Sequence, residues 1–409
     1  MFGKIALYWD ESYLWGLIAL KTLRKLGVPV RLVTSGQVRA GMLGYYDLLI
    51  VPGGWASDKT AALGHEGRDA VREFVRNGGS YLGICGGAGF ALDTRDGLGL
   101  VNVKRVPTAQ RIPSFSGEIG LLPEQAAHPF WHGIRQPRLF HVWWPGQFDV
   151  IGEDVRIVAR YGRPGPDFAL ADLPASEVSD WKKWEKKYEI NLNPAALEGE
   201  PAVIEGHSGD GKIFLSYPHL ETPGSRKGNK ALLNVLEYLK PARRKAKKGT
   251  LKKDKKEYEI SGEAVSAARE MMEAAEYFIA FGERNFLWYW RNDWTLQWRR
   301  GVRGVEYSTI YALTKELWRH VKAGHSAPDP DFNGKLVEAR NEVLRFFGDA
   351  RALLMKERFA LMDGAMSAIR SNDPEVNNMR ERLFSSSKRW GGEFKKVLMD
   401  LDELVFGII

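Results

Sequence analysis

The sequence predicts an α/β sheet domain over residues 1–240, a basic linker over 241–260, and an all-α domain over 261–409. Three observations carry this division. In the first part, short continuous apolar runs alternate with stretches of helical spacing and turn signals. From Ser261 onward the spacing is helical with hardly a convincing strand. Between the two, residues 241–256 hold nine Lys/Arg against the single acid Asp254.

The strands of the first part are expected at 4–8 (KIALY), 30–34 (VRLVT), 47–51 (DLLIV) and 80–84 (SYLGI). Unbroken apolar runs of this kind suit a parallel sheet covered on both faces. Helices are expected from Glu11 to Leu26, where several of Leu14, Leu17, Ile18, Leu20 and Leu23 share a face, and over 64–77 before Asn77-Gly78-Gly79. VNVKRV, RLFHVWW, VRIVARY, PAVIEG and KIFLSY, all between 101 and 217, are candidates to extend the sheet. Residues 163–198, rich in Pro, Gly and charge and containing WKKWEKKYE, read as an insertion or lid rather than core. In the second part helices are expected at 261–281, 285–300, 306–323, 333–370 and 374–406, with breaks near 324–330, 372–374 and Gly391-Gly392.

Composition narrows the function classes. The formal net charge of +8 equals that of residues 241–256 alone, so the rest of the chain is formally neutral and has no general basic surface. No run of eighteen apolar residues suggests a membrane span, and the opening MFGKIALYWDES lacks a leader pattern. The single cysteine excludes an intrachain disulfide framework and a cysteine-rich zinc site. The expected address is cytoplasmic, with no metal and no organic cofactor.

That cysteine lies in Leu82-Gly83-Ile84-Cys85-Gly86-Gly87, where an expected buried strand ends in a Gly-x-Cys-x-Gly turn. A nucleophile held on a sharp strand-to-helix turn needs neighbours without Cβ so that the turn closes and substrate approaches. A helix start there favours the thiolate, the reactive form. A base and its orienting partner are offered by KIFLSYPHLE, which delivers His219 at a strand end with Glu221 two residues on. Active sites of open α/β sheets collect at the carboxyl ends of strands, so Cys85 and His219 are expected to meet there. The turn Pro52-Gly53-Gly54 closes another strand at the same edge, and the amides of Gly54 and Gly86 are candidates for an oxyanion and substrate site that includes Gly53. His141 and His207 are weaker candidates for the base. Asp10 and Glu11 are candidates to approach the same pocket, with helix capping the preferred role for one of them.

In their order, PGG, GICGG and HLE resemble the class I glutamine amidotransferases, which implies a flavodoxin-like sheet domain, a triad of Cys85, His219 and Glu221, and an oxyanion hole near Gly54 and Gly86. VRNGGSYLGICGGAGFAL, FHVWWPGQF and GDGKIFLSYPHLE resemble more closely the N-terminal amidotransferase-like domain of biotin protein ligases. The resemblance spans roughly residues 1–240. Two positions depart from it: Gly89 stands where glutaminases carry a substrate-holding glutamine, and His219-Leu220-Glu221 replaces His-Pro-Glu. No biotinyl-transferring domain is expected downstream.

The leading expectation is a cysteine-dependent amidohydrolase or amidotransferase-like enzyme acting on a carbon–nitrogen bond of a small-molecule amide or amino-acid-like substrate through a thioester. A noncatalytic metabolite-binding or scaffold protein with a degenerate amidotransferase fold is the second reading. The third is an interaction module, with a protein partner on the helical domain; nucleic-acid contact by the basic linker is open but not preferred to a solvated tether. Trp290, Trp294 and Trp298, spaced along one expected helical face near Arg291, Arg299 and Arg300, read as packing rather than as a stacking platform.

Overall fold

A computed structural model describes residues 3–240, 258–364, 371–385 and 390–409. The chain divides into two compact units, Met1–Thr250 and Leu251–Ile409. The basic stretch 241–256, on which the nucleic-acid reading falls, lies outside the described residues.

In the first unit the elements run β1 Ile5–Tyr8, α1 Tyr13–Lys25, β2 Val30–Val33, α2 Ser35–Arg39, β3 Leu48–Val51, α3 Ala56–Arg76, β4 Ser80–Ile84 and α4 Gly86–Ala91. They continue with β5 Val103–Arg105, β6 Phe115–Pro123, β7 Leu139–Trp143, β8 Phe148–Val150, β9 Arg156–Pro164, β10 Ala169–Leu170, β11 Leu173–Pro174, α5 Trp181–Tyr188, β12 Pro201–Ser208, β13 Gly211–Ser216 and α6 Arg226–Tyr238. Among the described residues, one eleven-stranded sheet has the order β11-β10-β6-β9-β12-β13-β4-β3-β1-β2, with β7 on β6.

The run β13-β4-β3-β1-β2 is parallel throughout. Every residue of β1, β3 and β4 is buried, as a sheet covered on both faces requires. From β12 outward the pairing is antiparallel. This mixed sheet between helices is the α/β architecture expected, and its parallel half brings Tyr8, Val51, Ile84 and Ser216 to one carboxyl edge.

Some boundaries differ from expectation for physical reasons. The helix expected at 64–77 starts earlier, at Ala56, and bends at Gly64 (φ 63°). Its N-cap, Trp55, offers no capping side chain, so the sequence carries no start signal there. VNVKRV does not extend the sheet: β5 pairs with β8 in a separate two-stranded ribbon. Residues 163–198 are not wholly an insertion, since Ala169 and Leu170 pair with Ser116 and Phe115 at the sheet edge and Phe168 packs on Phe115, ring centroids 5.9 Å apart. α5 has no buried residue and lies outside the core.

The second unit holds α7 Gly262–Arg284, β14 Trp288–Trp290, β15 Leu296–Trp298, α8 Val305–Lys322, α9 Phe332–Met362, α10 Pro374–Phe384 and α11 Gly392–Ile408. It is helical but not all-α. The helix expected at 285–300 is an antiparallel hairpin pairing Trp288 with Trp298 and Trp290 with Leu296. Asn292 closes its turn, Oδ1 accepting from the amides of Trp294 (2.8 Å) and Thr295 (3.0 Å). Aromatic side chains favour this pleated, half-buried setting, and the helical stripe of tryptophans does not form. Trp288 joins a core with Phe278 and Tyr307, at ring separations of 5.9 and 5.5 Å. Residues 374–406 form two helices separated at the break expected near Gly391-Gly392, and residues 365–370 of the expected fourth helix lie outside the described residues. Among the described residues no helix is long and apolar enough to cross a membrane.

Candidate functional site

Cys85 follows the last residue of β4. Its amide still donates to the Ser216 carbonyl of β13 at 2.8 Å, and its carbonyl accepts from Gly89 at 3.0 Å as α4 begins. Between these commitments its backbone is forced to φ 51°, ψ −108°. A left-handed conformation in a residue with a Cβ costs about 1–3 kcal/mol and persists where surroundings over-determine it. The surroundings here are backbone atoms of the turn after β3. A Cβ on Gly86 would stand 1.8 Å from the Gly54 carbonyl oxygen, and one on Gly87 would stand 1.9 Å from that of Val51. The glycines after the cysteine are thus required by close approach of two turns.

The base candidate sits at the end of the adjacent strand. His219 and Glu221 are both buried, and Glu221 Oε1 lies 2.7 Å from His219 Nδ1. Their turn is tied on several sides. The His219 amide donates to the His141 carbonyl at 2.8 Å, the Thr222 hydroxyl to the His219 carbonyl at 2.9 Å, and the Thr22 hydroxyl of α1 to the Glu221 carbonyl at 2.7 Å. Trp15 lies against the imidazole at a ring separation of 4.6 Å. With Nδ1 engaged, His219 Nε2 is left buried without a hydrogen bond. Burial opposes the imidazolium, but the charges of Glu221 and Cys85 outweigh it and His219 is pushed up to about 10. The Cys85 Sγ itself lies 3.8 Å from the Trp143 carbonyl oxygen.

The turn Pro52-Gly53-Gly54 lies at this edge. Gly54 has φ 107°, and a Cβ there would stand 2.3 Å from the Glu11 carbonyl oxygen. Gly53 lies under Trp15, whose Cγ would be 2.7 Å from its Cβ. Gly86 opens α4, where a helix has no acceptor for its amide. Gly53, Gly54, Gly86, Cys85, His219 and Glu221 are therefore assembled on the turns after β3, β4 and β13.

Asp10 and Glu11 fill the turn after β1. Asp10 Oδ2 accepts from the Ser35 amide at 2.7 Å, at the start of α2, while Glu11 Oε2 accepts from the Tyr13 hydroxyl at 2.9 Å. His141 contributes its carbonyl to the His219 turn, and its ring Nδ1 lies 3.3 Å from the Ser225 hydroxyl; His207 is exposed on β12.

Sequence reasoning missed Lys59. It is fully buried, and its ammonium donates to the Glu11 carbonyl at 3.0 Å and the Ser12 hydroxyl at 2.6 Å. It also lies 3.3 Å from where a Gly54 Cβ would be, so it braces the Gly54 turn against the β1 turn. A lysine near a helix start reads as solvated, and only its position five residues after Gly54 connects it to the site. Trp144 was missed too. Of eight non-glycine residues with positive φ among those described, four are Glu11, Tyr13, Cys85 and Trp144, so strain concentrates around this edge. Among the described residues no group of three or more His, Cys, Asp or Glu is placed to hold a metal ion.

Residues 44–95 match the family described as biotin-protein ligase, N terminal. Comparison with curated proteins returns no match. Among solved structures, that of PurLQS from Thermotoga maritima is similar with a TM-score of 0.37 and 18% identity, covering 59% of this chain and 100% of that chain. A protein described as a GMP synthase subunit from Thermoplasma acidophilum is similar with a TM-score of 0.37 and 16% identity, covering 58% of this chain and 94% of that chain.

Proposed function

We propose that the first unit is a cysteine-dependent amidohydrolase or amidotransferase-like enzyme that cleaves a carbon–nitrogen bond through a thioester. The observation that carries this reading is the buried His219–Glu221 contact of 2.7 Å at the end of the strand next to the strained Cys85 turn. The match of residues 44–95 to the biotin-protein ligase N-terminal family supports an amidotransferase-like domain.

In this mechanism the imidazolium of His219 pairs with the Cys85 thiolate, and Glu221 holds the ring by Nδ1. The thiolate adds to the amide carbonyl carbon, and the amides of Gly54 and Gly86 receive the developing oxyanion. His219 gives its proton to the departing nitrogen, which leaves as ammonia or an amine, and a thioester remains on Cys85. Water, deprotonated by His219, then adds to the thioester carbonyl, and the acid leaves with the thiolate restored.

The test compares iodoacetamide alkylation of Cys85 in the wild type, in His219→Ala and in denatured chain at about pH 6, where an unassisted thiol is almost wholly protonated. Fast alkylation in the folded wild type and its loss in His219→Ala supports the pair. Equal, slow rates in all three sink the reading.

A second reading, a noncatalytic pocket for a small metabolite, is favoured by Gly89, which leaves no side chain where glutaminases hold their substrate. A folded chain that binds small acids while Cys85 stays inert selects it.

A further inference from the structure

We infer that the substrate of this site is anionic, and that its carboxylate or phosphate group is held by Arg111 and Arg105 together with the Tyr217 hydroxyl. The inference rests on the functional reading above and names the chemistry that replaces the missing glutamine at position 89.

Tyr217 lies between the end of β13 and His219. It is buried, and its hydroxyl has no hydrogen-bond partner. A buried hydroxyl left unpaired costs about 1–3 kcal/mol, so its retention points to an acceptor that arrives from outside. The ring is fixed from two sides. Phe148 packs on it at a ring separation of 4.0 Å, and Gly146 comes so close that a Cβ there would stand 2.6 Å from the Tyr217 oxygen. On another side lies Gly89, one helical turn beyond Cys85. A Cβ on Gly89 would meet a single atom within 4 Å, the Tyr217 oxygen at 3.9 Å. The buried hydroxyl therefore stands next to the position from which a glutamine side chain would project beside the nucleophile turn.

Two arginines are carried to this place by the β5–β8 ribbon. Arg105 is paired across the ribbon with Phe148, the residue packed on Tyr217. The following loop is pinned at both ends to the buried Gln147, whose carbonyl accepts from the Val106 amide at 3.1 Å and whose Oε1 accepts from the Ile112 amide at 2.7 Å. Arg111 directly precedes the pinned Ile112, close enough to Arg105 for the two charges to act on each other. Both guanidinium charges act on Tyr217, and Cys85 acts on it as well. Arg111 is half-buried, and burial with the neighbouring Arg105 lowers its pKa. Among the described residues neither arginine has an ion-pair partner. Two cations held together without a carboxylate, beside an unsatisfied hydroxyl, form an incomplete site for an oxyanion group, to which arginine forks are suited.

The experiment is calorimetric titration of the full chain, with Cys85→Ser as host so that no turnover intrudes, using glutarate, inorganic phosphate and the neutral glutaramide. At least one anion is expected to bind and glutaramide not to bind; the tighter anion tells carboxylate from phosphate. Arg111→Gln should weaken that binding about tenfold or more, Arg111→Lys should recover part of it, and Tyr217→Phe should weaken it to a lesser degree. Absence of anion binding, or binding unchanged in Arg111→Gln while circular dichroism shows a folded chain, overturns the inference. Failure of Cys85 alkylation alongside arginine-dependent anion binding would instead reject the thioester chemistry and leave the anion site standing.

Discussion

Glu221 meets His219 Nδ1 through one oxygen at 2.7 Å, while its other oxygen is buried with no hydrogen bond. A carboxylate so poorly solvated is tolerable only opposite a positive charge, so the pair favours the imidazolium. The His219 pKa, pushed up to about 10 by Glu221 and Cys85 against burial, fixes the sign of the pH dependence. A raised folded-state pKa stabilises the fold fully below the unfolded value of about 6.5, and that contribution is lost as pH rises through about 10. Urea midpoints of the wild type should thus fall between those values by more than those of His219→Gln. A pH-independent difference between the two proteins would refute the charged pair.

Cys85 raises the same imidazole, so its removal should be felt there. In Cys85→Ser and in Glu221→Gln alike the His219 ring titrates lower than in the wild type, because both residues raise it. Imidazole chemical shifts followed through a pH series read both directly. An unchanged His219 titration in Cys85→Ser would mean that the two groups do not communicate.

The glycines around the nucleophile differ in what they tolerate. Gly86→Ala forces a Cβ to within 1.8 Å of the Gly54 carbonyl oxygen and should destabilise the fold by about 3 kcal/mol or more. Gly89→Ala meets only one atom, at 3.9 Å, and lies inside α4, where alanine is favoured over glycine by about 0.5–1 kcal/mol. Chemical denaturation of the two variants should move the midpoint in opposite directions. Equal losses would show that the turn after β3 does not press on Gly86.

What the sequence discloses and what it hides follow from the same physics. The buried strands β1, β3 and β4 are short, continuous and apolar, and Gly-x-Cys-x-Gly and His219-Leu220-Glu221 sit where such strands end, so the parallel half and its edge could be read directly. Lys59 could not, because nothing local tells a lysine braced by the Glu11 carbonyl from one in solvent. Replacing it with methionine, close in length but unable to donate, should cost about 2 kcal/mol, the scale of a hydrogen bond from a charged group. Denaturation midpoints check this, and a neutral outcome would mean that the Gly54 turn does not depend on the brace.

The hairpin in the second unit was hidden for a different reason. Trp290, Trp294 and Trp298 satisfy helical spacing, yet Asn292 reverses the chain between the first two, a role its side chain performs without the glycine that usually marks such turns. The two geometries make different demands on neighbouring residues. In the strand, Trp288 points inward, 4% exposed and donating through Nε1 to the Ile279 carbonyl at 3.0 Å, whereas Tyr289 points outward at 54% exposure. Trp288→Ala should therefore cost about 3–5 kcal/mol, as truncation of a large buried aromatic does. Tyr289→Ala should stay within about 0.5 kcal/mol. Urea denaturation followed by far-ultraviolet circular dichroism compares the two, and similar losses at both positions would contradict the alternation that defines the hairpin.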